Sequence, residues 1–303
     1  MVAGITYHLR AIIGLGLVTA AVSELLFYPA ELRWGLAELV LVYGALAWTA
    51  VLAVHMRAGG GMTGLCAAAA VMGLLVEGVP VFELYAALPL SLFWTSIGWH
   101  GVITGVTALF LLRWSLHRNL AAGAMAAFGL GVGLGLWCGH YWTVDGTPPG
   151  RFWPQLALGS LMLAVGHAVL PHAPNGRTPW ARGAFAVLGG LVTVFFCLAA
   201  LPALFPVSLV LPASVAAVMV LVPATSADPM WAQPARRRCV LIGLVAPGCA
   251  VGFVCSHGLD WARELNVWVF VTTALLATLL TARMALTRWR GTRHNASANR
   301  FRP

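Results

Sequence analysis

Long apolar stretches alternate with short polar breaks along the whole chain. Taking ~20 apolar residues per membrane crossing, about ten stretches qualify: 11–29, 34–56, 63–79, 89–113, 120–142, 152–171, 183–204, 206–224, 239–256 and 266–287. Only Pro202 and Pro206 separate the seventh from the eighth, so that region reads as a hairpin or as one broken helix. Val79 to Pro89 carries Pro80, Pro89 and the acid Glu83, and is predicted to be a short connection at or just below the membrane interface. The N-terminal Met1–Gly16 stretch has a basic start like a signal peptide. No small-residue cleavage site follows, and Ser23 to Pro29 reads as the end of a first span. The fold class expected is an all-α integral membrane protein, a polytopic bundle of about ten transmembrane helices forming one domain over 1–287. The polar, basic tail 288–303 is expected to be flexible and to lie on the anionic cytoplasmic leaflet.

Composition supports this and removes other classes. Of 303 residues, 60% are apolar and 9% charged, with a mean hydropathy of +0.86. A soluble domain carries roughly a quarter charged residues, so soluble, disordered and disulfide-framework proteins are excluded. The net charge is +9, from 18 basic and 9 acidic residues, and every basic residue is Arg. The absence of Lys excludes chemistry through a lysine Schiff base.

The arginines segregate. With a cytoplasmic N-terminus, Arg10, Arg57, Arg113, Arg118, Arg177, Arg182, Arg236 to Arg238, Arg283 and the five of the tail fall on the inner side, while only Arg33, Arg151 and Arg263 fall outside. The positive-inside rule then gives N-in, C-in in the plasma membrane. The charge is orientation signal, and no nucleic-acid partner is expected. The acids run the other way: Glu31, Glu83, Asp145, Asp260 and Glu264 fall in outer loops, Glu24, Glu38 and Glu77 in spans near the outer end, and only Asp228 inside.

Familiar motifs are missing. The six cysteines form no C-x-x-C, no two His share a helix face at metal spacing, and there is no Walker loop, Gly-x-Ser-x-Gly or acidic diphosphate motif. No metal and no cofactor are expected. Candidate chemistry therefore rests on ionisable residues inside spans, which cost on the order of 2–3 kcal/mol each to insert and mark cavities or partners. Glu24, Glu38 and Glu77 are the strongest. Around Glu77 lie Gly78 and Pro80, which break the helix, then Glu83, Tyr85, Phe93, Trp94, Trp99 and His100. Trp94 and Trp99, five apart, do not share one α-helical face. A second cluster, Trp137, His140, Tyr141 and Trp142, ends the fifth span, and His257 with Asp260 and Trp261 makes a third group.

These residue classes around Glu77–His100 resemble the integral-membrane terpene cyclases of meroterpenoid pathways, small all-helical proteins with paired carboxylates and aromatic pockets. The resemblance implies an intramembrane enzyme that cyclises a lipophilic isoprenoid by protonation. Glu77 would be the acid, with Glu83 or His100 as base and Glu24 and Glu38 as further carboxylates. Tyr85, Phe93, Trp94, Trp99, Trp137, His140, Tyr141 and Trp142 would line a pocket opening to the outer leaflet, where aromatic faces stabilise a cation. A proton- or ion-coupled transporter of a small or lipophilic solute fits the same carboxylates and the helix breaks at Gly78–Pro80 and Pro202–Pro206. A third reading is a haem- or quinone-binding redox subunit using His100, His140 and His167. Gly131, Gly133 and Gly135 allow a close helix approach, either within the chain or to another protomer of an oligomer.

Overall fold

A computed structural model describes residues 2–26, 35–58, 61–139, 148–172, 179–221, 231–258 and 264–299. Among them every regular element is helical. Helix α1 spans Val2–Ala20 and continues through a wider i→i+5 turn at Ala21–Leu26. Helices α2 (Leu36–Ala58) and α3 (Gly61–Gly78) follow. Helix α4 is wound i→i+5 over Leu92–Leu111 and α-helical over Leu112–Arg118. Next come α5 (Leu120–Gly139), α6 (Pro149–Val169) and α7, whose Pro179–Phe195 runs on through Phe196–Ala200 and Leu201–Leu204. Helix α8 comprises Val207–Leu209 and Val210–Leu221. Helix α9 winds tightly over Arg236–Leu244 before the α-helical Val245–Gly258, and α10 is Leu265–Asn299. Eight of these contain stretches long and apolar enough to cross a membrane, and α3 and α8 supply two shorter apolar helices. The chain is an all-α, multi-pass membrane protein. The backbone does not break at 287, because α10 continues past its apolar window, Val267–Leu286.

Glycines place the helices. Gly131 of α5 faces the Val245 carbonyl, Gly135 the Cys249 carbonyl and Gly139 the Ser256 hydroxyl. In return Gly248 faces the Phe128 carbonyl and Gly252 that of Val132. No β-carbon fits at these positions, so the backbones approach closely enough for dispersion and Cα–H···O contacts, the usual source of helix affinity in lipid. Gly131 and Gly135 thus find their partner inside the chain, while Gly133 has nothing near it.

Residue numbers in these pairs rise together, so α5 and α9 run parallel. That requires an odd number of traverses between them, and α6, α7 and α8 as separate helices supply three. Helices α7 and α8 are therefore two arms of a hairpin, which answers the ambiguity at Pro202–Pro206. The same test makes α1 antiparallel to α2, because Gly16 meets the Val40 carbonyl and Gly44 the Ile12 carbonyl. It makes α4 parallel to α10, because Trp94 meets Phe270 and Gly98 meets Thr273.

The bundle thus has one end bearing Glu24, Glu38, Glu77 and Glu83 and another rich in Arg. At the Arg-rich end the cations cap helix C-termini, whose free carbonyls and partial negative charge need donors. Arg10 donates to Val169 O at 3.1 Å, and Arg238 to Leu116 O and His117 O at 2.9 and 2.7 Å. Arg113, 1% exposed, donates to His167 O, Ala232 O and Gln233 Oε1 at 3.0, 3.1 and 2.6 Å. With Trp231 donating to Pro171 O, it fixes the segment before α9 against α4 and α6.

Candidate functional site

The site is built where α3 and α4 come closest. Gly73 of α3 lies against the Ser96 carbonyl of α4, with the His100 β-carbon 3.2 Å from where its own would stand. One turn along α3, Glu77 reaches into this contact, and its Oε1 lies 2.7 Å from His100 Nε2. Both residues are buried. The other ring nitrogen, Nδ1, lies 3.0 Å from Ser23 Oγ of α1, and Ser23 Oγ lies 3.0 Å from Thr104 Oγ1. Four side chains from three helices thus form one hydrogen-bonded chain.

The winding of α4 is what aligns it. Thr107 Oγ1 donates to Val102 O, five residues back, at 3.1 Å, the side-chain counterpart of i→i+5 winding. Each turn then takes about one residue more than an α-helix. Ser96, His100, Thr104 and Ala108, four apart, all lie inside the protein. Ser23 also sits on an i→i+5 turn, and such turns recur at functional sites.

Beside this chain, the Tyr43 hydroxyl of α2 donates to Glu24 Oε1, and the Tyr43 ring stands 6.0 Å from that of His100. Two carboxylates, a histidine, a phenol and two hydroxyls therefore meet in one region. Two hydrogen positions satisfy the chain equally. In one, His100 Nε2–H donates to a Glu77 carboxylate while the Ser23 hydroxyl donates to Nδ1. In the other, a protonated Glu77 donates to Nε2, Nδ1–H donates to Ser23, and Ser23 donates to Thr104. The two differ by one proton, gained or lost without moving a heavy atom. Glu77 Oε2 is buried with no hydrogen-bond partner among the described residues.

The aromatic residues form a second assembly. Trp94 and Trp99 come within 6.3 Å, Trp94 and Trp137 within 5.8 Å, and Trp99 stacks on Trp137 at 6.1 Å and 25°. The wide winding of α4 brings residues five apart onto neighbouring faces, which corrects the α-helical expectation for Trp94 and Trp99. Trp94 also packs edge-on to Phe270 of α10 at 5.1 Å. Here a cleft of about 270 Å³ opens, lined by residues that include Glu83, Leu90, Ser91, Trp94, Thr95 and Phe270.

The structure does not gather all the expected residues. Glu83 is exposed at the cleft, apart from Glu77 and His100. Glu38 is exposed, and Glu24 pairs with Tyr43 instead. The Tyr85 hydroxyl donates to Gly78 O at 2.8 Å, capping the end of α3 at the helix break. Burial pushes the Tyr85 phenol up to about 12. Ser91 donates to Leu84 O at 2.6 Å, and Phe82, with φ 66°, supplies a left-handed corner that closes the turn. Phe93 is half-buried and does not line the cleft. His140, Tyr141 and Trp142 lie outside the described residues.

Of the histidines of the redox reading, the two described ones, His100 and His167, do not converge. His100 has both ring nitrogens engaged, and His167 lies beside Arg113 at the opposite end. Ser23, Tyr43, Thr104 and Phe270 were not singled out as site residues from sequence, and Arg113 was read only as an orientation signal. The signals available were Ser23 next to Glu24 and a lone Arg inside the fourth span.

The fold and site together define a multi-pass helical membrane protein with a buried carboxylate–imidazole–hydroxyl chain. Comparison with protein-family models, with curated proteins and with solved structures returned no match.

Proposed function

We propose that the protein is a proton-coupled transporter, with the Glu77–His100 pair as the group that takes up and releases the proton. The observation that carries this is the buried chain Glu77–His100–Ser23–Thr104, with Glu24–Tyr43 beside it. Carboxylate–histidine chains inside a helical bundle are the usual parts of proton relays. The aromatic cleft does not include Glu77 or His100, and this disfavours direct protonation of a substrate in it. The arginine asymmetry supports a cytoplasmic Arg-rich end in the plasma membrane, leaving the cleft on the far side. A lipophilic solute fits the apolar lining.

The test uses vesicles containing the full chain and a trapped pH indicator. Addition of a transported solute shifts the internal pH with the native protein, and Glu77→Gln abolishes the shift while solute binding persists. Proton movement unchanged in Glu77→Gln would refute the assignment.

One observation favours the isoprenoid-cyclase reading: Glu83 stands in the same cleft as Trp94 and Phe270, an acid beside aromatic faces. A cyclised product formed from prenylated substrates, and lost in Glu83→Gln but not in Glu77→Gln, would replace transport by catalysis.

A further inference from the structure

The cleft between the α3–α4 connection and α10 has its own chemistry. Its walls are mainly apolar, contributed by Leu90, Trp94 and Phe270 together with small residues. Ser91 turns its hydroxyl away to Leu84 O, and Thr95 its hydroxyl to Ser91 O, so the methyl and methylene parts of these residues are what remain for a guest. One charged group belongs to the lining, the carboxylate of Glu83, and it forms no ion pair among the described residues. Trp94 and Phe270 meet edge-to-face, 5.1 Å apart and 61° between planes, and both rings border this small space.

A ring face is the negative part of an aromatic quadrupole and attracts a cation within about 6 Å, most strongly where water is excluded. A carboxylate at the mouth adds a full negative charge. Glu38 and Glu264 lie exposed at the same end of the bundle, and among the described residues its acids outnumber its arginines, so the local field draws cations toward the cleft. The volume is below the roughly 300–1,000 Å³ of sites for drug-sized ligands, which fits a guest with one ring.

We propose that this cleft binds a small lipophilic organic cation, a monoaromatic quaternary ammonium ion or a guest of that chemistry. The ammonium group sits between Glu83 and the Trp94 face, and the apolar part lies against Leu90 and Phe270. This names the solute class for the proton-coupled reading and rests on that reading for its meaning in transport. Exchange of such a cation for a proton moves one positive charge each way.

The experiment is calorimetric titration of the detergent-solubilised full chain with phenyltrimethylammonium and, separately, with its uncharged isostere tert-butylbenzene. The native protein should bind the cation saturably and the isostere at least about tenfold more weakly. Glu83→Gln should weaken cation binding about tenfold and leave the isostere unchanged, while Glu83→Asp should retain most of the affinity. Glu83 is exposed, so these variants test binding without disturbing the core. Equal affinity for cation and isostere, or cation binding unaffected in Glu83→Gln, would overturn the proposal. The two readings fail separately. Cation binding without proton movement in vesicles removes the transport reading and leaves this site, whereas solute-driven proton movement without cation binding removes this site and leaves transport.

Discussion

Helices α4 and α7 differ in a way that explains where the chemistry sits. Their apolar stretches have almost the same length, 27 residues over Leu92–Arg118 and 26 over Pro179–Leu204. Both contain i→i+5 winding. Yet α7 has the higher mean hydropathy, 2.5 against 1.4, and the lower burial, 6% against 72%. In water the more apolar helix goes to the core. In a bilayer the lipid is as apolar as leucine, so hydropathy drives a helix into the membrane without driving it into the protein. A helix surrounded by other helices can carry Ser96, His100 and Thr104, because its neighbours supply hydrogen-bond partners that lipid does not. The polar residues of a span therefore mark its protein-facing side, and α4 is the helix of this chain on which that mark is densest.

The sharpest way to break the contrast is to remove a partner from α4. His100→Leu leaves Glu77 without its imidazole and Ser23 without Nδ1. Orphaning one member of a buried pair costs about 3–5 kcal/mol. Thermal unfolding in detergent should show that loss, and Glu77→Leu combined with His100→Leu should recover a large part of it. A double variant as unstable as the sum of the two singles would mean that the two side chains do not interact.

A gentler test compares glycines. Gly73→Ala drives a methyl into the Ser96 carbonyl and toward His100, whereas Gly190→Ala on α7 has nothing within 4 Å. The first should cost about 1–3 kcal/mol, as overpacking does. The second should be neutral or should stabilise by up to about 1 kcal/mol through helix propensity. Equal effects would mean that α3 and α4 are not in backbone contact.

The same contrast separates what was legible in the sequence from what was not. The spans were legible because each is a run of apolar residues ended by Arg, Pro or Gly, and the bilayer sets their length. Even the division at Pro202–Pro206 was visible, though its meaning came only with the parallel packing of α5 and α9. Glu77 and His100 stood out as ionisable groups inside spans. Their partners did not, since Ser23 and Thr104 are ordinary in an apolar run until packing across helices brings them to His100. The nearness of Trp94 to Trp99 was hidden because i→i+5 winding leaves no pattern that α-helical spacing detects. The exposure of Glu38 and Glu83 was hidden for the opposite reason: closeness to the end of a span does not say whether a side chain turns inward.

Smaller effects belong to the turn that joins α3 to α4. Tyr85→Phe removes the cap on Gly78 O, which should cost about 1 kcal/mol. The pH dependence follows from the raised phenol, up to about 12 against an ordinary value of 10. Because folding favours the protonated form, the stability it contributes is complete below pH 10 and is lost as the pH rises toward 12. Alkaline unfolding curves of the native protein should fall more steeply across that window than those of Tyr85→Phe. Superimposable slopes would show that the phenol titrates alike in both states.

The smallest predicted change has the opposite sign and sits within α4 itself. Ser96 is completely buried beside Gly73, and its hydroxyl has no partner among the described residues. A buried hydroxyl that makes no hydrogen bond has paid its desolvation without return, so Ser96→Ala should leave stability unchanged or raise it by up to about 1 kcal/mol. Thr104→Val, by contrast, removes the last hydroxyl of the chain that begins at Glu77 and should lower stability by about 1 kcal/mol. Two small polar residues eight apart on one buried face should therefore respond in opposite directions. If Ser96→Ala destabilised as much as Thr104→Val, Ser96 would have to hold a partner of its own, and the polar face of α4 would extend one turn nearer to the cleft than Glu77 and His100 alone define.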